Sequence, residues 1–163
     1  MEKIIKKSSM VLTLFCLAFS SLFANEKANT FGSEKEAKQM LERAIRIVES
    51  NPKVAFAMIN VGQGGFHVKD LYPFCVDNRG IMVAHPTLAG TDMTNFVSSD
   101  GVKVAQLMLQ NAKTKTFSKI SYKLSRIVST PNGLPISSEK ESKKISFYKK
   151  VGGFVCATGF HPL

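Results

Sequence analysis

The chain has 163 residues, of which 44% are hydrophobic, and a formal net charge of +10 at neutral pH. This length allows one domain with a substantial core but not two. The basic residues are scattered and no nucleic-acid-binding motif accompanies them, so we do not expect nucleic acid as a partner. A basic protein outside the cytoplasm would instead attract anionic ligands, anionic lipid or cell-wall polymers.

Residues 1–24 have the features of a signal peptide. A lysine-rich start precedes an apolar run at residues 10–19 that is too short to span a bilayer, and Ala24 offers a small residue for cleavage. We therefore expect a periplasmic protein, with an uncleaved membrane anchor as the alternative. Cleavage would leave about 139 residues with a net charge of about +8.

The predicted organisation after the signal peptide is a short linker at residues 25–33 and one domain at residues 34–163. No later stretch approaches transmembrane length, and the chain stops at Leu163. We therefore expect a domain without an output domain of its own.

Two cysteines, Cys75 and Cys156, remain after the predicted cleavage. In an oxidising compartment an even pair favours a disulfide. Such a bond would close a loop of about 80 residues and contribute ~4 kcal/mol in the chain-entropy model. Two buried free thiols are the alternative.

The first predicted element is a long amphipathic helix. Ser33 and Glu36 match a capping box, and the helix is expected to run to about Asn51, just before Pro52. One apolar stripe recurs at three- and four-residue spacing: Ala37, Met40, Leu41, Ala44, Ile45 and Val48. A further helical turn or two follows at residues 54–61, and Gly62 begins a break.

Residues 70–86 read as two short apolar strands joined by a turn at residues 77–80, where Gly80 supplies the positive φ. The second strand ends at His85-Pro86, because proline cannot continue a ladder.

A second amphipathic helix is expected from residue 100, with Val104, Leu107 and Met108 inward. Strands are expected at residues 117–127, 144–151 and 154–160, with residues 137–143 in a polar loop. This order predicts an α+β class, an antiparallel sheet with the helices gathered at one face and side.

Several sequence blocks, in this order, resemble the single Cache family over about residues 34–161. The blocks are residues 55–60, Gly65-Phe66, Asp70-Leu71-Tyr72, the Asp-x-x-Gly turn at 77–80, Ala84-His85-Pro86, Gly90, Asp100-Gly101, Lys144-x-Ser146-Phe147, and the strand pair at 151–160. The resemblance implies a PAS-like, five-stranded antiparallel sheet with a long N-terminal helix and a second helix packed on it. It also implies binding of a small molecule outside the cytoplasm, often a short carboxylate or another small polar metabolite. This chain departs from the family at Leu124, where Trp is frequent, and at Phe147, where Tyr is frequent.

His85 is the first predicted ligand-binding residue. At a strand end it can donate a hydrogen bond to a carboxylate or carbonyl, and its charge can change near neutral pH. A structural histidine bonded to the backbone is the alternative, and the direction of the ring depends on the register of the turn.

Lys144 is the predicted positive charge facing an anionic ligand, although a lysine in such a basic stretch is more often a solvated surface residue than a site residue. The remaining predicted site residues are Tyr72, Phe74, Pro86, Tyr122, Ser146 and Phe147. An aromatic residue among them could instead be ordinary core, because small sites are lined mostly by core residues.

Catalytic and metal chemistry have little support in the sequence. Cys75 and His85 share one short hairpin without an orienting carboxylate, and the three histidines lack metal-ligand spacing. We predict a non-enzymatic binding or sensing domain without cofactor or metal, whose ligand is small and anionic. A membrane receptor or transporter would receive the signal. The alternative is a non-catalytic interaction or structural protein with a vestigial pocket.

Overall fold

The computed structural model describes residues 31–130, 132 and 134–163. The predicted signal peptide lies outside these residues, as do residues 25–30 of the predicted linker. The elements are α1 (Glu34–Ser50), α2 (Pro52–Asn60), β1 (Pro73–Asp77), β2 (Met82–Ala84), α3 (Val104–Asn111), β3 (Ser118–Val128), β4 (Ile136–Val151) and β5 (Phe154–Phe160), with a 3₁₀ turn at Gln63–Gly65.

Helix α1 begins at the predicted capping box. The Ser33 hydroxyl accepts a hydrogen bond from the Glu36 backbone N–H, and the Glu36 carboxylate accepts one from the Ser33 backbone N–H. All six residues of the predicted apolar stripe are buried. Asn51 ends α1, and its side chain accepts from the Val54 N–H to cap α2.

The five strands form one antiparallel sheet in the order β2-β1-β5-β4-β3. Because side chains alternate along a strand, the sheet has two distinct faces. One face packs against α1 and α2 through residues that include Cys75, Phe147 and Phe160, and we call it the helical face. The α+β class with a PAS-like sheet is confirmed.

A disulfide joins Cys75 of β1 to Cys156 of β5, which confirms that prediction. The two residues are direct cross-strand partners on the helical face. The bond therefore connects the first strand in chain order, β1, to the last, β5.

Helix α3 lies on the other face of the sheet, where it packs with residues such as Phe74 and Tyr122. The helices are therefore not gathered at one face. The inward side of α3 also differs from the prediction, because Ala105 is buried with Val104 and Met108 whereas Leu107 is exposed.

Strand β4 begins eight residues earlier than predicted, at Ile136 instead of Lys144. The assignment of residues 137–143 to a loop is wrong. Their polar side chains show no apolar alternation, but their backbone pairs with β3, as in the pairs Ser125↔Glu141 and Ile127↔Ser137. This part of the hairpin extends beyond β5 as a solvated two-stranded ribbon, so that Lys144 lies in the middle of β4.

Candidate functional site

A cavity of about 70 Å³ lies between α3 and the sheet, on the face opposite α1. We call it the sheet-face cavity. Its lining residues are Tyr72, Phe74, Val76, Met82, His85, Leu88, Met93, Phe96, Val104, Ala105, Met108, Tyr122, Leu124 and Lys144. Five predicted site residues are among them, and nearly all of the remaining lining is hydrocarbon.

Lys144 reaches the cavity because of strand alternation in β4. Ile145 and Phe147 belong to the helical face, so Lys144 points to the opposite side, where it pairs with Tyr122 of β3. Lys144 is 1% exposed and is therefore separate from the solvated basic residues around it. Gly159 of β5 leaves room for it: a Cβ at position 159 would lie 2.6 Å from the Lys144 Cε.

The Lys144 ammonium has a hydroxyl partner but no carboxylate partner among the described residues. Its Nζ donates to the Tyr72 hydroxyl at 2.7 Å and lies 4.1 Å from the centre of the Tyr72 ring. Asp70 is instead held by Arg126, with 3.2 Å between Oδ2 and Nε, and by the Gly32 backbone N–H. None of the described ion pairs includes Lys144.

Burial lowers the pKa of Lys144 from 10.5 to about 7, and the charge of Asp70 acts in the opposite direction. Desolvation disfavours the ammonium form because the apolar lining cannot replace its water. At neutral pH the protonated and neutral forms of Lys144 are therefore both populated.

Two shifts in strand register place His85 on the cavity side. A two-residue turn would pair Asp77 with Gly80, but here Asp77 pairs with Ile81, which shifts the register by one residue. An irregularity in β2 shifts it by one more residue. The two shifts offset each other and return His85 to the side of Tyr72 and Phe74. The His85 ring centre lies 4.9 Å from that of Tyr72 and 6.1 Å from that of Phe74.

The hydrogen bonds of His85 define its tautomer. Nδ1 accepts from the backbone N–H groups of Thr87 at 3.0 Å and Leu88 at 3.1 Å. The neutral ring therefore carries its proton on Nε2, which is left as a donor beside the cavity. Nδ1 therefore has the structural role, because it is bonded to the backbone, whereas Nε2 has the proposed ligand-binding role.

His85 is neutral at physiological pH. Burial lowers its pKa to about 3, and the positive charge of Lys144 contributes in the same direction. The expectation that His85 changes charge near neutral pH is therefore not met, because the ring is 4% exposed and adjacent to a cation.

The other predicted site residues occupy different positions. The Tyr122 hydroxyl and the Ser146 Oγ are 3.0 Å apart and both buried, so Ser146 supports Tyr122 from behind the lining. Phe147 lies on the helical face, where it stacks against Phe160 at 6.3 Å between ring centres, and Pro86 is not part of the cavity lining. These two residues are therefore apart from the rest of the predicted site. Strand alternation places Phe147 on the helical face, and the chain turns away from the cavity after His85.

Much of the apolar lining was missed in the sequence. Val76 could have been found by alternation, since it lies two residues from Phe74 on the same strand. Met82 could not, because the irregularity in β2 separates it from His85 and alternation alone would place it on the opposite face. Met93 and Phe96 come from the loop after β2, where no periodicity indicates which side chains are buried. Leu124, noted as a departure from the family pattern, does line the cavity.

Within the described part of the chain, no group of three or more His, Cys, Asp or Glu side chains is placed to hold a metal ion. The helices of that same part are all too short or too polar to cross a membrane.

The antiparallel sheet with a cavity on one face defines a PAS-like domain. The family model described as single Cache domain 2 matches residues 19–133, and this protein therefore belongs to the single Cache family of ligand-binding sensor domains. The resemblance stated from the sequence is confirmed.

Solved structures of chemotaxis sensor domains share the fold. A Cache chemosensory domain described as recognising carboxylic acids is 18% identical, with a TM-score of 0.53 over 99% of this chain and 98% of that one. A periplasmic sensor domain of a chemotaxis protein is 16% identical, with a TM-score of 0.52 over 99% of each chain. A methyl-accepting chemotaxis protein from Vibrio parahaemolyticus is 20% identical, with a TM-score of 0.51 over 78% of this chain and 86% of that one. None of the curated proteins compared with the chain matches it.

Proposed function

We propose that the sheet-face cavity binds a short carboxylate, and that the domain senses this ligand outside the cytoplasm without catalysing a reaction. The observation that carries the proposal is Lys144, a buried amine in a hydrocarbon-lined cavity with no described carboxylate paired to it. A charge in such surroundings is stable only when it is paired. A bound carboxylate would supply the missing negative charge.

The proposed arrangement places the carboxylate beside three donors. The Lys144 ammonium provides the charge, while the Tyr72 hydroxyl and the His85 Nε2–H provide hydrogen bonds. Tyr72 contacts both other residues, since its ring lies 4.1 Å from the Lys144 Nζ and 4.9 Å from the His85 ring centre. The apolar wall around Met108 would receive a short hydrocarbon tail.

The size of the cavity limits the ligand. A single water needs about 10–15 Å³ on the same scale, and the cavity measures about 70 Å³. The space fits roughly five or six non-hydrogen atoms by that comparison, as in acetate or propionate. A fold neighbour described as recognising carboxylic acids supports this ligand class.

Calorimetry with propionate and its neutral amide, propionamide, tests the proposal. We expect propionate to bind and propionamide to bind at least tenfold more weakly, because only the anion neutralises Lys144. Lys144→Met should abolish the preference. Lys143→Met is the matched control, since Lys143 is the exposed neighbour on the same strand and its loss should leave the affinity unchanged.

Two outcomes would contradict the proposal. Equal affinity for propionate and propionamide would show that the ligand's charge does not contribute to binding. An unchanged propionate affinity in Lys144→Met would show that Lys144 does not bind the ligand. If a wider panel of small anions, amines and amides also failed to raise the melting temperature, the interpretation as an interaction protein with an empty pocket would replace it.

The domain boundaries and the location are part of the proposal. The protein would be exported with cleavage after Ala24, and residues 34–163 would fold as the sensing unit. A mass measurement on protein from the periplasmic fraction should find a chain that begins at Asn25. A receptor or transporter as the recipient of the signal stays a prediction.

A further inference from the structure

Lys144 combines three features of a reactive amine. Its side chain lines a cavity large enough for a small molecule, it is shielded from bulk water, and a hydroxyl group lies 2.7 Å from Nζ. An unprotonated lysine in a hydrophobic pocket is a nucleophile toward carbonyl carbon.

We propose that Lys144 reacts reversibly with small aldehydes or 2-oxo acids in the sheet-face cavity and holds them as an imine at Nζ. The lone pair of the neutral amine attacks the carbonyl carbon, a C–N bond forms while the C=O π bond breaks, and the oxygen takes one of the two amine protons. The resulting carbinolamine then loses its hydroxyl group as water together with the remaining amine proton, which leaves a C=N bond. One water is released, and neither an oxidant nor a reductant is needed.

Tyr72 is placed to assist the loss of water. Its hydroxyl lies 2.7 Å from Nζ, within reach of the carbinolamine oxygen that forms on the adjacent carbon. Burial raises the pKa of Tyr72 far above its usual value, so the phenol keeps its proton and assists by donating a hydrogen bond to the departing hydroxyl. The hydrocarbon lining limits the access of water and so disfavours hydrolysis of the imine.

The neutral amine required for this step is available at neutral pH. Burial lowers the pKa of Lys144 to about 7, so a substantial part of the molecules carries the free amine. An exposed lysine with a pKa near 10.4 has a free-amine fraction of only about one in 2,500 at that pH. The imine chemistry uses the neutral form of Lys144, whereas carboxylate binding uses the ammonium form, so neither depends on the other.

Reductive trapping tests the inference. The purified protein is incubated at neutral pH with acetaldehyde or glyoxylate and cyanoborohydride, and the modified lysines are quantified by peptide mass spectrometry. We expect Lys144 to be modified at least tenfold faster than exposed lysines in the same digest, such as Lys119, Lys143 and Lys150. Unfolding in urea before the reaction should remove the preference, because it depends on the cavity.

Tyr72→Phe keeps Lys144 and removes the hydroxyl, so its trapping rate at Lys144 should fall several-fold. A wild-type rate in this variant would overturn the role of Tyr72. Modification of Lys144 no faster than that of the exposed lysines would overturn the inference, and this readout in the wild-type protein requires no variant to fold.

Propionate calorimetry on the same preparation separates this result from the proposed function. Propionate binding without preferential trapping overturns the imine alone. Preferential trapping without propionate binding supports the imine and contradicts the carboxylate proposal.

Discussion

At the scale of single residues, Lys144 determines the charge of the cavity, because the neighbouring His85 is neutral at physiological pH. It is buried with the Tyr72 hydroxyl as its polar partner, and Asp70 is already paired to Arg126. Such an amine is destabilising in the protonated form unless an anion arrives. This tension between burial and charge leads to two predictions about pH.

The first prediction concerns the free energy of unfolding. The pKa of Lys144 is about 7 in the folded protein and near 10.4 in an unfolded chain. Between these values the unfolded state binds a proton that the folded state does not, so stability rises with pH from about 7 to about 10. Below pH 7 the penalty is present in full, on the order of a few kcal/mol.

Lys144→Met should therefore stabilise the protein most at low pH and flatten this slope. Urea unfolding of the wild type, Lys144→Met and the exposed control Lys143→Met at pH 6 and pH 9 measures the effect. A Lys144→Met variant that retained the wild-type pH dependence would show that another group is responsible.

The second prediction concerns propionate binding. Because the carboxylate pairs with the ammonium form, affinity should be nearly constant from about pH 6 to pH 7, where propionate is ionised, and fall about tenfold per pH unit above pH 7. Apart from Asp70, which is paired with Arg126, the other titratable side chains coupled to Lys144 or lining the cavity are His67, His85, His161, Tyr72 and Tyr122. Burial lowers the pKa of each histidine and raises that of each tyrosine, so none of them should titrate between pH 7 and pH 9.

Calorimetry in buffers with different ionisation enthalpies measures the linked proton directly. Uptake of about one proton per propionate at pH 8 is expected for a single site protonated on binding. Zero uptake at pH 8 would be incompatible with Lys144 as the titrating partner of the ligand.

At the scale of elements, the glycine at position 159 of β5 leaves space for the lysine of the neighbouring strand β4. Gly159 pairs with Ser146, and a Cβ at Gly159 would contact the Lys144 Cε at 2.6 Å and also overlap the Ser146 Oγ. Gly159→Ala should therefore push Lys144 into the cavity, at a cost of about 1–3 kcal/mol for overpacking.

Gly153→Ala is a matched control, because a Cβ at Gly153 in the turn before β5 has no neighbour within 4 Å. We expect Gly159→Ala to weaken propionate binding and lower the melting temperature, whereas Gly153→Ala should leave binding unchanged. Equal propionate affinity in the two variants would contradict the assigned position of Lys144.

The elements also differ in how far the sequence determines them. Helix α1 was predictable because its capping box and its apolar stripe agree on one element. The first half of β4 was not, since backbone pairing with β3 holds it while its side chains are solvated. The direction of His85 depends on two register shifts, and sequence alone indicates at most the one at Gly80. Lys144 was identified as a residue type suited to an anion, but its burial required the sheet pairing.

At the scale of the whole molecule, the disulfide and the cavity lie on opposite faces of the same sheet. Cys75 and Cys156 join β1 to β5 on the helical face, whereas the cavity residues of β1 and β4 project to the other side. The bond spans 81 residues, so in the chain-entropy model it acts mainly by restricting the unfolded chain, by about 4 kcal/mol.

This separation predicts that loss of the disulfide lowers the stability of the fold but leaves ligand affinity unchanged. The double variant Cys75→Ser, Cys156→Ser should unfold at a much lower urea concentration yet bind propionate with nearly wild-type affinity under native conditions, because the native strand pairing β1–β5 still positions Phe74 beside Lys144. Urea unfolding and calorimetry on the same preparation measure the two effects, and a thiol assay of the denatured wild type should find no free thiols at Cys75 and Cys156. A parallel loss of stability and affinity would instead mean that the disulfide maintains the shape of the cavity, because an effect confined to the unfolded chain cannot alter the affinity of the folded one.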